Sequence, residues 1–264
     1  MTLPLPPLDA HAHVAPNVPA ADLTSLRAAV FAVTPSLSEW QQAAGRTDEL
    51  TAWGLGCHPA ITGEVEGFSP SAFSKALDSA ALVGEVGLDA RRGAAIATQR
   101  EIFSQVLEML TERPRLVSIH SVGASSQVLD ALERYPQSGA ILHWWRGSTS
   151  ETDRALEIGC FFSLNAAEAR RPKVIDLIPP ERVLTETDFP HTQRHDPAAD
   201  HPGVVETVER ALGRAWALDE WGVRRRIWAN LAALLERTES TPRMPLGIRK
   251  ALIVAPVPED DAPP

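Results

Sequence analysis

Eight short apolar runs recur along this chain, at residues 7–13, 28–34, 51–58, 81–89, 115–121, 139–145, 160–165 and 182–189, with longer amphipathic stretches between them. Several runs are continuously apolar and rich in Val, Leu, Ile and Phe, as parallel strands buried on both faces must be. A run followed by a helical pattern, repeated around the chain, predicts an α/β fold, and within it a single-domain TIM-type (β/α)8 barrel. The 264 residues agree with this, since one such barrel takes about 250.

The helical stretches carry their own signals. Residues 96–110 place Ile96, Gln99, Phe103, Val106, Leu107 and Leu110 on one mostly apolar stripe. Ser69-Pro70 reads as an N-cap with proline at the first helical position, and Ser148 with Glu151 has capping-box spacing for a helix ending near Gly159. Residues 204–212 and 219–236 read as closing helices. Beyond Ser240 the chain turns proline-rich and ends Ala-Pro-Val-Pro-Glu-Asp-Asp-Ala-Pro-Pro. The barrel is therefore expected to occupy residues 1–240, with residues 241–264 a disordered tail.

Charge limits what the surface can grip. A net charge of -9 argues against a broad basic face that holds nucleic acid by counterion release, so a polyanionic substrate has to be bound locally, where metal ions could supply positive charge. Cys57 and Cys160 each lie inside an apolar run, which favours reduced, buried thiols over a disulfide. The first residues lack a basic, apolar signal pattern and no run reaches the length of a membrane span, so the expected location is the cytoplasm, with no membrane partner.

In a barrel of this kind reactive side chains gather where strands end and loops begin. The first run ends Asp9-Ala10-His11-Ala12-His13, the third Cys57-His58-Pro59, the fifth Ile119-His120 and the sixth Leu142-His143. The fourth contains Gly84-Glu85-Val86-Gly87-Leu88-Asp89, and the last contains Thr185-Glu186-Thr187-Asp188. His11 and His13 are two apart on an extended segment, so they share a face and can reach one ion. A single strand-end histidine is more often a hydrogen-bonded structural residue than a ligand. Histidines at this many strand ends, together with Glu85 and Asp188, which are costly to bury unpaired, point to metal instead. Imidazole and carboxylate donors accept zinc, manganese, iron or cobalt and, less comfortably, magnesium. Six ligands suit two ions, and a carboxylate bridging them would let both act on the attacking and leaving oxygens of a displacement, which describes hydrolysis.

The order His-x-His, Gly-Glu-Val-Gly-Leu-Asp, two further strand-end histidines and Glu-Thr-Asp-Phe-Pro resembles the TatD family of metal-dependent deoxyribonucleases, within the amidohydrolase superfamily of barrels. The match runs from about Leu8 to Leu235, strongest at residues 84–89 and 186–190, with support from Gly56-Cys57-His58-Pro59 and Asn230-Leu231. The resemblance implies a deoxyribonuclease using two divalent metal ions, drawn from zinc, manganese, magnesium or cobalt. His11, His13 and Asp188 would hold the first ion, His120 and His143 the second, and Glu85 would bridge them. Asp188 would also orient or deprotonate the attacking water, which makes Glu85 and Asp188 the implied catalytic pair. His58 would lie beside the substrate phosphate without binding metal.

Two segments depart from the common pattern. His143 is followed by Trp144-Trp145-Arg146-Gly147-Ser148, where ordinary members carry Cys-Phe-Ser-Gly-Ser, and the segment after His120 lacks a frequent arginine. Arg146 could reach a phosphate in compensation, as a rigid fork. Arg91-Arg92 offers a further cationic pair, read more readily as solvated surface, and of Trp144 and Trp145 at most one is expected to face the site. The His-Trp-x-x-Gly-Ser segment, the Phe162-Ser163-Leu164-Asn165 run and the compressed region between the first and third runs resemble the QatD-like branch found with anti-phage systems. That branch implies partner proteins of a defence operon.

Two other functions compete. One is hydrolysis of a small ester, lactone or amide on the same scaffold. Many such barrels bridge their metals with a carbamylated lysine, but Lys75, Lys173 and Lys250 all fall in helical or tail segments, which leaves Glu85 as the bridge. The other is a metal-binding subunit that docks to a partner complex through its tail; against it, none of the six ligands is missing.

Overall fold

The computed structural model describes residues 5–255. Each apolar run contains one strand: β1 (Leu8–His13), β2 (Ala29–Val33), β3 (Thr51–Leu55), β4 (Leu82–Gly87), β5 (Leu116–His120), β6 (Ala140–His143), β7 (Phe161–Leu164) and β8 (Val183–Thr185). They form one eight-stranded sheet in the order β1 to β8, and each neighbouring pair is parallel. With helices between the strands this is the TIM-type (β/α)8 barrel that the run pattern predicts.

The seam between the last strand and the first closes where the chemistry lies. Asp188 N–H donates to the His11 carbonyl at 2.9 Å, and His13 N–H donates to the Phe189 carbonyl at 2.8 Å. Asp9 reinforces this join: its buried carboxylate accepts the Thr187 N–H (2.9 Å), the Thr187 hydroxyl (2.6 Å) and the Gly203 N–H (2.8 Å). The segment that carries Asp188 is thus fixed against the strand that carries His11 and His13.

Gly87 settles a second approach. It has φ +139°, and a Cβ there would collide with the His120 backbone. Only glycine lets β4 come this close to β5, which brings Glu85 beside His120.

The helical signals hold. Ser69 accepts from Ala72 N–H with Pro70 opening Pro70–Leu77, and Ser148 and Glu151 form a capping box on Thr149–Ile158, which ends at Gly159 with φ 93°. The amphipathic stretch from residue 96 is the helix Ile96–Glu112, whose Phe103, Val106, Leu107 and Leu110 are buried. Asn230, inside Glu220–Arg237, donates from Nδ2 to the carbonyls of Pro180 and Val183, both at 2.7 Å, and ties this last long helix to the start of β8. Both thiols are buried and free, and burial pushes each up to about 12.

One expectation is corrected. Residues 241–264 do not form a tail from their beginning: a helix spans Leu246–Val254, and Met244, Ile248 and Ala251 join the hydrophobic core. Prolines at 242 and 245 precede the helix rather than interrupt it, with Pro245 as its N-cap, so they start the element instead of breaking it. Residues 256–264, with the acidic proline-rich terminus, lie outside the described residues. Among the described residues no helix is long and apolar enough to cross a membrane.

Candidate metal centre

Every residue that the sequence reading puts in the metal set converges at the C-terminal ends of the strands. His11 and His13 come from β1, Glu85 from β4, His120 ends β5, His143 ends β6, and Asp188 stands just beyond β8. Glu85 is the hub. Its Oε2 lies 3.6 Å from His11 Nε2 and 3.3 Å from His13 Nε2, while its Oε1 lies 2.5 Å from His120 Nδ1 and 2.9 Å from His143 Nε2. Oε1 thus faces His120 and His143, and Oε2 faces His11 and His13 with His58 Nε2 a further 3.1 Å neighbour. Asp188 Oδ1 joins the Oε2 side, 3.8 Å from His11 Nε2 and 3.6 Å from His13 Nε2.

Buried polar atoms almost always have a hydrogen-bond partner. Here His11 Nε2, Glu85 Oε2, His143 Nδ1 and Asp188 Oδ1 are buried without one. Oxygen and imidazole donors left unpaired in one space suit a cation that would bind several of them together. The ligand atoms of His11, His13 and Glu85, of His11, His143 and Asp188, and of His58, Glu85 and His120 each fall within 4.8 Å of one another.

The neighbours fix the rings. Asp89 Oδ2 lies 3.1 Å from His120 Nε2, and Ser118 Oγ lies 2.7 Å from His11 Nδ1, so each ring is held by the nitrogen that faces away from Glu85. Glu186 is fully buried and accepts from Trp144 N–H (3.1 Å), Asn165 Nδ2 (3.0 Å) and the Ser163 hydroxyl, and its Oε1 stands 3.7 Å from His143 Nδ1. His58 behaves differently. Ala60 N–H donates to its Nδ1 at 3.1 Å, which leaves the proton on Nε2, 3.1 Å from Glu85 Oε2. That tautomer presents a donor to the site and suits an anionic oxygen better than a metal.

Electrostatics follow from these positions. Burial raises the pKa of Glu85, but the imidazoles of His58, His143 and His120 outweigh it and hold the carboxylate well below its usual range. For His143 burial works downward, yet Glu85 and Glu186 carry it well above the ordinary imidazole value. His11 goes the other way, held well below by burial and by His143. Burial, with Glu186, Glu85 and Asp9 nearby, pushes Asp188 well above the usual carboxylate range. Without a cation the cluster holds groups that resist the same protonation state.

The remaining expectations divide. Trp145 is buried, donates from Nε1 to Thr152 Oγ1 at 2.9 Å and belongs to the barrel wall, whereas Trp144 is partly exposed. Gly147 packs against the Trp145 indole so closely that a Cβ would overlap the ring, which accounts for glycine in that motif. Arg146 does not meet Glu85; its guanidinium carbon lies 5.5 Å over the Trp144 ring. The backbone N–H groups of Arg91 and Arg92 both donate to Asp89 Oδ1, at 2.7 and 2.9 Å.

Sequence reasoning left five participants off its site: Ser118, Asp89, Glu186, Asp9 and His191. Asp89 and Glu186 stand inside motifs already singled out, so their signal was present. His191 follows Pro190 and packs its ring 4.9 Å from that of His13, grouped with His13 and Asp188. Nothing local in the sequence announces that contact.

Comparison with known proteins points to one family. A family model described as TatD-related DNase matches residues 8–236. A 3'-5' ssDNA/RNA exonuclease TatD from Klebsiella pneumoniae is 32% identical over 123 residues, covering 43% of this chain and 47% of that protein. A deoxyribonuclease Tat-D from Schizosaccharomyces pombe is 29% identical over 136 residues, 48% of this chain and 43% of that protein. The chain spans about half the length of these curated relatives. Among solved structures, a TatD-family hydrolase from Entamoeba histolytica superposes with TM-score 0.74 at 14% identity, covering 88% of this chain and 98% of that one. YJJV, a TatD homologue from Escherichia coli, gives 0.70 at 18% identity, covering 86% and 96%. At those identities the structures speak for the fold.

Proposed function

This chain belongs to the family of TatD-related DNases, and on that footing we propose that it is a dinuclear metal-dependent hydrolase cleaving phosphodiester bonds of DNA, at strand ends or in single strands. The observation that carries the reading is Glu85, whose Oε1 faces His120 and His143 and whose Oε2 faces His11, His13 and His58, beside buried atoms that lack partners. His11, His13 and Asp188 would hold one divalent ion, His120 and His143 the other, and Glu85 both; zinc, manganese, cobalt or magnesium fits the donor set.

Bound there, the ions would acidify a water and offset charge on the phosphate. The protein's own contribution is placement. Asp188 sits at φ 47°, a conformation rare for a residue with a side chain, and is held there by its N–H bond to His11. This aims Oδ1 into the site, where it serves as proton acceptor for the attacking water. His58 offers its Nε2 proton to a phosphate oxygen, and Arg146 adds a cation at the rim. A strand end enters a recessed barrel mouth more readily than a duplex interior does.

Metal-loaded protein should release nucleotides from labelled DNA with free 3′ and 5′ ends, and chelation, His11→Ala or Glu85→Ala should each abolish release. Intact single- and double-stranded DNA beside hydrolysis of a small ester or lactone would sink the reading. The Trp144 to Ser148 segment supports a QatD-like role in phage defence with operon partners. Its test is plaque formation on cells carrying the operon with Glu85→Ala in this chain.

A further inference from the structure

Three arginines stand on the loops that follow β6, β7 and β8. Arg146 follows β6, Arg170 follows β7 and Arg194 follows β8; all three are exposed, and among the described residues none has a carboxylate within ion-pair distance. They surround an aromatic. The Arg146 guanidinium lies 5.5 Å over the Trp144 ring, the His195 ring meets that indole edge-on at 6.1 Å, and Arg194 Nε is 3.1 Å from His195 Nε2. Partial burial and then Arg194, Arg146 and Arg170 lower the pKa of His195, which places Arg170 in the same field.

Trp144 is also held by its backbone. Its φ is 40°, a conformation rare for a bulky residue, and its N–H is anchored on Glu186, the acid beside His143. The indole Nε1 has no hydrogen-bond partner. The backbone thus fixes a partly exposed indole one residue from a candidate ligand, beside the guanidinium group of Arg146 and the His195 ring that Arg194 touches.

We propose that Trp144, Arg146, Arg194 and His195 form a nucleotide subsite for single-stranded DNA, with a base stacked on the indole and the flanking phosphates on the guanidinium groups. The strand then leaves the metal centre across the β6–β8 side of the mouth. Paired bases hide their faces in the duplex, so this subsite selects unpaired strands. It rests on the phosphodiesterase reading and names the substrate form for it.

The test uses metal-loaded full-length protein and a fluorescein-labelled ten-nucleotide thymidine strand with phosphorothioate linkages, followed by anisotropy. Trp144→Leu should weaken binding about five- to one-hundredfold, the range for loss of one stacked base, while Trp144→Phe restores most of it. Arg194→Ala should lower the steepness of log Kd against log salt by about 0.7, the value for one phosphate contact on a single strand. A hairpin duplex should bind Trp144→Leu and wild type alike. Wild-type affinity for the strand in folded Trp144→Leu, with an unchanged salt slope in Arg194→Ala, overturns the subsite even if wild type cleaves ordinary DNA. Wild type that neither binds nor cleaves overturns the subsite and the functional reading together.

Discussion

His120 points Nδ1 at Glu85 Oε1 across 2.5 Å while its Nε2 lies 3.1 Å from Asp89. A neutral imidazole carries one proton, and two carboxylates cannot both receive it. Both are satisfied only by the doubly protonated ring: burial lowers the pKa of His120, but Glu85 and Asp89 outweigh it and raise it, and a divalent ion held by Nδ1 would take the place of the proton on that side. His143 stands likewise between two carboxylates, with Glu85 2.9 Å from its Nε2 and Glu186 3.7 Å from its Nδ1, so a charge on Glu85 is what both rings are arranged around.

Glu85→Gln tests this with almost no change of shape. The amide keeps the volume but loses the charge and replaces one acceptor oxygen with a donor facing imidazoles. Metal content of purified protein should drop sharply, and DNA release should fall by about 100-fold or more. Full metal occupancy in the variant would remove Glu85 from the centre.

Asp89→Asn addresses the ring orientation alone. Its carboxylate holds His120 Nε2 and also accepts the N–H groups of Arg91 and Arg92, with burial opposed by these bonds so that its pKa stays low. Losing the partner of a ligating histidine typically costs about 10–100-fold in metal affinity. Competition against a chelator should show that loss, and the melting temperature of the metal-free protein should move little. An unchanged affinity would mean that packing alone holds the ring.

Much of this was legible in the sequence because barrel strands and metal ligands announce themselves locally. His11 with His13 needs only the two-residue period of a strand, and Glu85 or Asp188 is conspicuous inside an apolar run. Ser118 could not be found that way: a serine in a strand is ordinary until the fold brings it 107 positions away from its own neighbourhood to His11. The helix Leu246–Val254 is hidden for a different reason: proline-rich composition gives the whole segment the look of a disordered tail, although Pro242 and Pro245 precede its first turn. His191 and the arginines around Trp144 belong to separate loops, whose meeting depends on barrel closure and leaves no periodicity.

Asn230→Ala probes the closure from outside the site. One amide satisfies two carbonyls next to β8, and alanine leaves both without that donor. Urea unfolding should show a loss of about 1–3 kcal/mol. Because β8 leads into Asp188, metal affinity should fall as well. Stability equal to wild type would mean that water replaces the amide and the tie is dispensable.

Asp48 gives a pH dependence with a defined sign. Its carboxylate accepts from Arg46 Nε and Nη2 at 2.7 and 2.8 Å and from Trp53 Nε1 at 2.9 Å, while Arg46 Nη1 reaches back to the carbonyls of Pro16 and Val18. This clamp joins the loop after β1 to β3. Burial alone would raise the pKa of Asp48, but the Arg46 and Trp53 bonds prevail and lower it below 3.8. A carboxylate depressed by folding contributes stability above its unfolded value, and that contribution disappears as pH falls through the lowered folded value. Asp48→Asn removes the charge and turns an amide donor toward other donors, so it should cost about 1–3 kcal/mol at pH 7. Toward the acid limit the wild-type carboxyl becomes neutral too, and the difference between the two proteins should shrink. Urea titrations at neutral pH and again below pH 3.8 measure both. A penalty of the same size at both ends would show that the clamp holds by shape rather than by charge.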